Sequence, residues 1–250
     1  MKMLIKKVHV YLYVLSVALS YFLLWPLFKY FSLRPSRYRS MNRLRRMWAF
    51  LSAALVGFFF SFEYEEPFDR DKTYIICPNH TSNLDIAAMC QLANSNSSFM
   101  GKEELKDGLV TGLFFRSVDI PVNRESKMSS YRAFKRAAEL LEQGTSLVIF
   151  PEGKIGANYP PTLHEFKNGP FRLAIEHKVP IVPVSSANTW KMLWDDGTKY
   201  GTRPGICRFY VHKPIDTSNL TVADADSLRD EVYRIMHQKM AIGNVAMEVL

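Results

Sequence analysis

Apolar residues crowd the start of the chain and then thin into short alternating runs. From residue 8 to residue 28 it reads VHVYLYVLSVALSYFLLWPLF, broken by little more than His9, two serines and Pro26. About twenty such residues are the length of helix needed to cross a hydrocarbon core. A second apolar run, residues 47–62 (MWAFLSAALVGFFFSF), is short for spanning but sufficient for a helix lying within one leaflet. After residue 63 the pattern becomes one of brief β-type runs alternating with helical ones. Strands are expected at 73–77, 97–100, 117–122, 146–150, 181–185 and 206–213, and helices at 84–93, 103–115, 128–143, 170–176 and 224–240. Gln143-Gly144 reads as a helix stop and Asp224 as a start. The expectation is therefore an α/β fold, a mixed sheet flanked by helices, preceded by an N-terminal two-helix membrane-associated motif. Residues 1–62 form that motif, and residues 63–250 form one α/β domain.

Charge sharpens this division. The 250 residues carry a formal charge of +8, which would ordinarily raise nucleic acid as a partner. The excess lies in the first 62 residues, which hold ten Lys or Arg and no Asp or Glu, leaving 22 basic against 24 acidic residues in the remainder. The body is close to neutral, so no nucleic-acid partner is expected. Six arginines (Arg34, Arg37, Arg39, Arg43, Arg45 and Arg46) fall in the segment SLRPSRYRSMNRLRR between the two apolar runs. Such a segment resists translocation and is favoured beside anionic lipid headgroups, by about 1 kcal/mol per basic side chain. Anionic membrane lipids are thus an expected partner, and the cytoplasmic face of a membrane the expected location. A cleaved signal peptide is not expected, because the first run ends in Leu24, Trp25, Pro26 and Leu27 rather than in small residues. Three cysteines without C-x-x-C spacing, Cys77, Cys90 and Cys207, point to a reduced compartment and buried thiols.

The candidate chemistry sits at strand ends, where α/β sheets gather their sites. The segment Cys77-Pro78-Asn79-His80-Thr81-Ser82-Asn83-Leu84-Asp85 follows an apolar strand and leads into a helix. Asp85 on the first helical turn can hold one imidazole nitrogen of His80 and leave the other free as a base. An isolated histidine with an aspartate five positions on is more often incidental, so this pair needs support elsewhere. Phe150-Pro151-Glu152-Gly153, after the strand SLVIF, supplies it by holding Glu152 on a tight turn at a second strand end.

The joint pattern of Asn79-His80, Asp85 and Phe150-Pro151-Glu152-Gly153 resembles the glycerolipid acyltransferase family, in particular its 1-acyl-glycerol-3-phosphate acyltransferases. The resemblance runs over residues 73–186 and continues, in the family's order, through Gly101-Lys102-Glu103-Glu104-Leu105, Val122-Asn123-Arg124, Phe166-Lys167-Asn168-Gly169 and Val179-Pro180-Ile181-Val182-Pro183-Val184. It implies an enzyme that moves a fatty acyl group from a thioester to the hydroxyl of a lysophospholipid, with His80 as the base and Asp85 orienting it. The acceptor hydroxyl is then itself the nucleophile. Lys102, Arg124 and Lys154 are expected to contact phosphate beside Gly153, and Glu152 to accept from an acceptor hydroxyl. No cofactor or metal is expected, and the acyl donor is acyl-CoA or acyl-carrier protein. One departure bears on the acceptor: the family commonly follows Phe-Pro-Glu-Gly with Thr-Arg-Ser, where this chain has Lys154-Ile155-Gly156. An ammonium cannot make arginine's bidentate fork to phosphate. The acceptor thus stands between 1-acyl-glycerol-3-phosphate, giving phosphatidic acid, and another lyso-lipid such as an amino-acid-based one. Three other readings compete: a metal hydrolase, for which the six histidines lack ligand spacing; a thiol hydrolase using Cys77; and a non-catalytic membrane scaffold, which leaves the polar motifs idle.

Overall fold

The computed structural model of the chain describes residues 2–67 and 69–248. Two helices open it, α1 (Lys2–Ser32) and α2 (Tyr38–Ala54), joined by a 3-10 turn at Pro35–Arg37. Proline's fixed φ suits that turn's first position.

The second apolar run does not form one helix. It divides at Gly57, whose φ of +80° is a left-handed conformation that glycine adopts without penalty. Upstream lies the second half of α2. Downstream, the aromatic residues that follow form strand β1 (Phe58–Tyr64), as their bulk favours on a pleated surface. The basic segment is corrected too, because most of it is the amino-terminal half of α2. Two of its arginines turn inward. Arg45 is buried against Asp119 at 2.7 Å, and Arg46 donates to the carbonyls of Cys90 and Ala93. These two serve packing, not headgroups.

The remaining strands are β2 (Ile75–Pro78), β3 (Ser97–Lys102), β4 (Ile120–Val122), β5 (Ser146–Ile149), β6 (Ile181–Ser186) and β7 (Gly205–Val211). They form one mixed sheet in the order β1-β7-β6-β2-β5-β3-β4. All neighbours are parallel except β6 and β7. Helices α3 (Leu84–Leu92), α4 (Gly112–Phe115), α5 (Lys127–Glu142), α6 (Gly169–Glu176), α7 (Thr189–Met192) and α8 (Ala225–Glu248) complete the fold.

Central strands covered on both faces read as continuous apolar runs, and β2 shows why. Ile75 faces a core built with α5, α6 and α8, while Ile76 faces a second core built with α3 and β7. Two expected elements are shorter than their sequence suggested. The helix expected at 103–115 is interrupted: a 3-10 turn (Glu103–Asp107) ends at Gly108, which is extended, before α4. The strand expected from 117 begins at Ile120, because residues 117–119 form a turn whose Asp119 side chain accepts from the backbone of Phe99 at 3.0 Å.

Helix α1, from residue 3 to 32, is long and apolar enough to cross a membrane. One face of it is docked on the protein nearly end to end. The amide of Thr202 donates to the Lys6 carbonyl, Ser16 donates to Ser52, Trp48 donates to Ser20, and Tyr21 and Phe28 pack on Trp48 and Phe114. Leu4, Leu12, Leu15, Leu19 and Leu23 are exposed.

Candidate active site

Parallel strands β2, β5, β3 and β4 all end on one side of the sheet, and the loops leaving them build the site. Immediately after β2, the chain turns so that the amides of Thr81 and Ser82 donate to Oδ2 of Asp85 at 2.7 and 2.9 Å. His80 Nδ1 lies 3.3 Å from the same oxygen. The other oxygen, Oδ1, accepts from the hydroxyls of Thr189, at 2.8 Å, and Ser186, at 3.2 Å. Asp85 is fully buried, and these four donors supply the hydrogen bonds that a carboxylate removed from water requires. With its proton on Nδ1 facing Asp85, the His80 ring keeps a lone pair on Nε2. Phe150 fixes the ring's tilt, with centroids 4.1 Å apart.

Ser186 and Thr189 were not singled out from sequence. They come from the end of β6 and the start of α7, about a hundred residues beyond Asp85. Asn79 belongs to the same network, accepting from the Ser186 amide at 2.6 Å.

At the end of β5 the Gly153 amide donates back to Phe150 at 3.0 Å, closing a turn with Gly153 at φ +75°. The turn sends Glu152 inward. Its Oε1 accepts from the His80 amide at 2.7 Å and its Oε2 from the His164 amide at 2.9 Å. Each oxygen thus accepts from one backbone amide and keeps a second lone pair, and Glu152 also lines the cavity described below.

Burial pushes the Glu152 carboxyl up to about 7, with the nearby Asp85 charge adding to the rise and the two amide bonds opposing it. The folded protein thus holds this proton up to about pH 7, whereas an unfolded chain releases it at the usual 4.5. The native state binds more protons between those values, so stability declines as pH rises through that window, by ~3 kcal/mol at most. Denaturation midpoints at about pH 5 and pH 8 should differ in wild-type protein and differ less in Glu152→Gln. Equal pH dependence in the two proteins would disprove the assignment.

Beside Glu152 opens a cavity of about 700 Å3 lined by Lys102, Arg124, Gly153, Lys154, His164 and Lys167 among others. The sheet explains how the first two meet: Lys102 is in register with Val122, so the parallel pair β3 and β4 delivers Lys102 and Arg124 to the same edge. Arg124 lies over Gly153, where a Cβ would be 3.1 Å from Nη1. All seven residues expected at the site are thus gathered around one sheet edge. Lys167 and His164 line the cavity but were not assigned from sequence, although Lys167 lay within a motif already noted. Cys77 is fully buried and burial raises its thiol pKa strongly, which removes the thiol nucleophile.

A family model described as "Acyltransferase" matches residues 60–187. The chain is 28% identical to an uncharacterised acyltransferase of Schizosaccharomyces pombe over 76% of its own length and 68% of that protein. It is 28% identical to the 1-acyl-sn-glycerol-3-phosphate acyltransferase alpha of Mus musculus, over 68% of this chain and 59% of that one. It is 30% identical to the 1-acyl-sn-glycerol-3-phosphate acyltransferase of Saccharomyces cerevisiae, over 64% of this chain and 54% of that one. The chain therefore spans little more than half the length of these last two relatives. In architecture it is similar to the crystal structure of the 1-acyl-sn-glycerophosphate acyltransferase PlsC from Thermotoga maritima. The TM-score is 0.76 at 20% identity, covering 96% of this chain and 95% of that one.

Proposed function

The chain belongs to the acyltransferase family, and from that premise we propose that it esterifies the free hydroxyl of 1-acyl-glycerol-3-phosphate with a fatty acyl group, yielding phosphatidic acid for phospholipid synthesis. The observation that carries this reading is the His80–Asp85 pair beside a cavity bearing Lys102, Arg124, Lys154 and Lys167. The pair supplies a base and the lysines and arginine supply charge for a phosphate.

In the reaction, Nε2 of His80 takes the acceptor's hydroxyl proton as that oxygen attacks the thioester carbonyl. Asp85 stabilises the imidazolium so formed. Collapse of the tetrahedral intermediate breaks the carbon–sulfur bond, and the departing thiolate recovers the proton from His80. Acyl-CoA and acyl-carrier protein both satisfy this chemistry, and no cofactor enters it.

Membrane attachment follows from α1 in this reading. A helix of about 46 Å held to the catalytic domain near both ends cannot stand across a bilayer without drawing the domain in with it. Its exposed leucines favour burial in one leaflet on the cytoplasmic face, with Arg34, Arg37, Arg39 and Arg43 available to headgroups.

Mass spectrometry of products from purified protein, given a panel of lyso-lipids with each donor, tests the proposal. Formation of phosphatidic acid is expected, and its absence while another lyso-lipid is acylated would replace the acceptor. Arg124→Ala should raise the KM for 1-acyl-glycerol-3-phosphate about tenfold, as loss of one charged hydrogen bond implies, with a smaller change for a neutral 1-acyl-glycerol. Equal losses on both acceptors would contradict a phosphate contact.

A further inference from the structure

A second cavity, of about 440 Å3, opens beside β4, the last strand at that edge of the sheet. Three cations line it: Lys106 from the 3-10 turn after β3, and Arg132 and Arg136 from α5. Spaced four apart, the two arginines lie on the same face of the helix, one turn above the other. Glu103 also lines the cavity and pairs with Lys106 at 3.1 Å, and Arg136 pairs with Glu139 at 3.3 Å. Both pairs are open to water and hold their cations only weakly. Arg132 forms no ion pair or hydrogen bond among the described residues. With one lining carboxylate against three cations, the cavity keeps an excess of positive charge.

Two observations place it where headgroups lie. Burial raises the pKa of the Tyr38 phenol and the charge of Arg136 opposes the rise, so Arg136 stands near the start of α2, which Arg34, Arg37 and Arg39 flank. Apolar side chains stand exposed on the same elements: Met128, which lines the cavity, Tyr131 on α5, and Leu109 ahead of α4. Leu109 adjoins Val110, which packs in the cluster of Tyr21, Phe28 and Tyr38, and so lies toward α1. Basic side chains interleaved with exposed apolar ones suit a surface that meets a bilayer.

At its inner end the cavity meets the active site. Asn123 lines both cavities, while Arg124 and Glu125 line the catalytic one and Ser126 the outer one. The segment from Asn123 to Ser126 is the wall between them.

We infer that this outer cavity binds the phosphate of an anionic bilayer lipid, distinct from the acceptor, with Arg132 and Arg136 donating to its oxygens and Met128 lying against its apolar part. The inference rests on the membrane attachment proposed above and not on the acyl-transfer chemistry. A lipid held there fixes the wall that carries Arg124, and with it the mouth of the active site, at headgroup depth.

The test is thermal unfolding of the full chain in micelles of a neutral detergent, titrated with phosphatidylglycerol or with phosphatidylcholine, because a ligand of the native state raises the melting temperature. Phosphatidylglycerol is expected to raise it and phosphatidylcholine to leave it unchanged. In Arg132→Gln/Arg136→Gln the mole fraction of phosphatidylglycerol that gives the same rise should increase about tenfold, as the loss of two interfacial cations implies. Both arginines are exposed, so without anionic lipid this variant should melt as wild type does. Lys127→Gln/Lys135→Gln removes two charges from the same helix outside the cavity and should respond as wild type. Arg124→Ala should also keep the wild-type response, which separates this cavity from the acceptor's.

Equal losses of response in the two double variants would show diffuse attraction of charge and overturn the site, as would loss of response in Arg124→Ala. A rise produced by inorganic phosphate alone would overturn the lipid assignment. A wild-type protein indifferent to phosphatidylglycerol would overturn it as well, and would leave the acyltransferase reading to be judged by its own product assay.

Discussion

Replacing His80 by alanine is expected to lower kcat for acyl transfer by about 10^3-fold, within the range that a positioned base contributes. The fold should survive the change. The imidazole makes one side-chain hydrogen bond, to Asp85, and its backbone amide, the partner of Glu152, is retained. Melting temperature and sedimentation with anionic vesicles should therefore match wild type. Asp85→Asn is the companion experiment. Its amide oxygen can still face the Thr81 and Ser82 amides, and its NH2 can face the Ser186 and Thr189 hydroxyls, which can rotate to accept. The variant should fold, yet the imidazolium loses its counter-charge, so kcat should fall at least a hundredfold. More than a tenth of wild-type activity in either variant would remove the pair from the mechanism.

The largest effect on stability is expected at Arg45. Its Nη1 meets Asp119 Oδ2 at 2.7 Å with both side chains buried, and its guanidinium lies over the rings of Phe99 and Phe114 at 4.6 and 5.3 Å. Asp119 also accepts from the Phe99 amide, so the pair joins α2 to β3 and the turn before β4. Arg45→Met leaves the Asp119 carboxylate buried without its counter-charge, a change that costs about 3–5 kcal/mol. In a chain of this length that is a fall in melting temperature on the order of 10 °C. Adding Asp119→Asn should recover much of the loss, since replacing both charges is far cheaper than removing one. A single variant as stable as wild type would show that the pair contributes nothing.

What could be read from the sequence was local. The strand–loop–helix around His80 and Asp85, the turn at Glu152 and the basic residues at 102 and 124 were each marked within a few residues. Their strands also carried enough β-branched and aromatic residues to be found. The distant partners were not legible. Ser186 and Thr189 reach Asp85 only because β6 pairs beside β2, and no period in the chain encodes that pairing. Glu152 was assigned to the acceptor through the resemblance, and its own segment carries no sign that the carboxyl turns inward onto backbone amides. Its inward direction depends on amides supplied by residues 80 and 164. The apolar run through residues 47–62 hid a boundary, since hydropathy is continuous across it. Gly57 and the aromatic triplet after it were the available signal, and the partner strand β7 lies some 150 residues away.

The docking of α1 also decides how the protein can be handled. Removing residues 2–32 would uncover Met41, Trp48 and Phe114 and leave the Thr202 amide and the Val56 carbonyl without their partners in α1. Truncation should therefore yield insoluble protein, not a water-soluble catalytic core. A detergent belt that covers the exposed leucines and spares the docked face is the purification strategy the fold calls for.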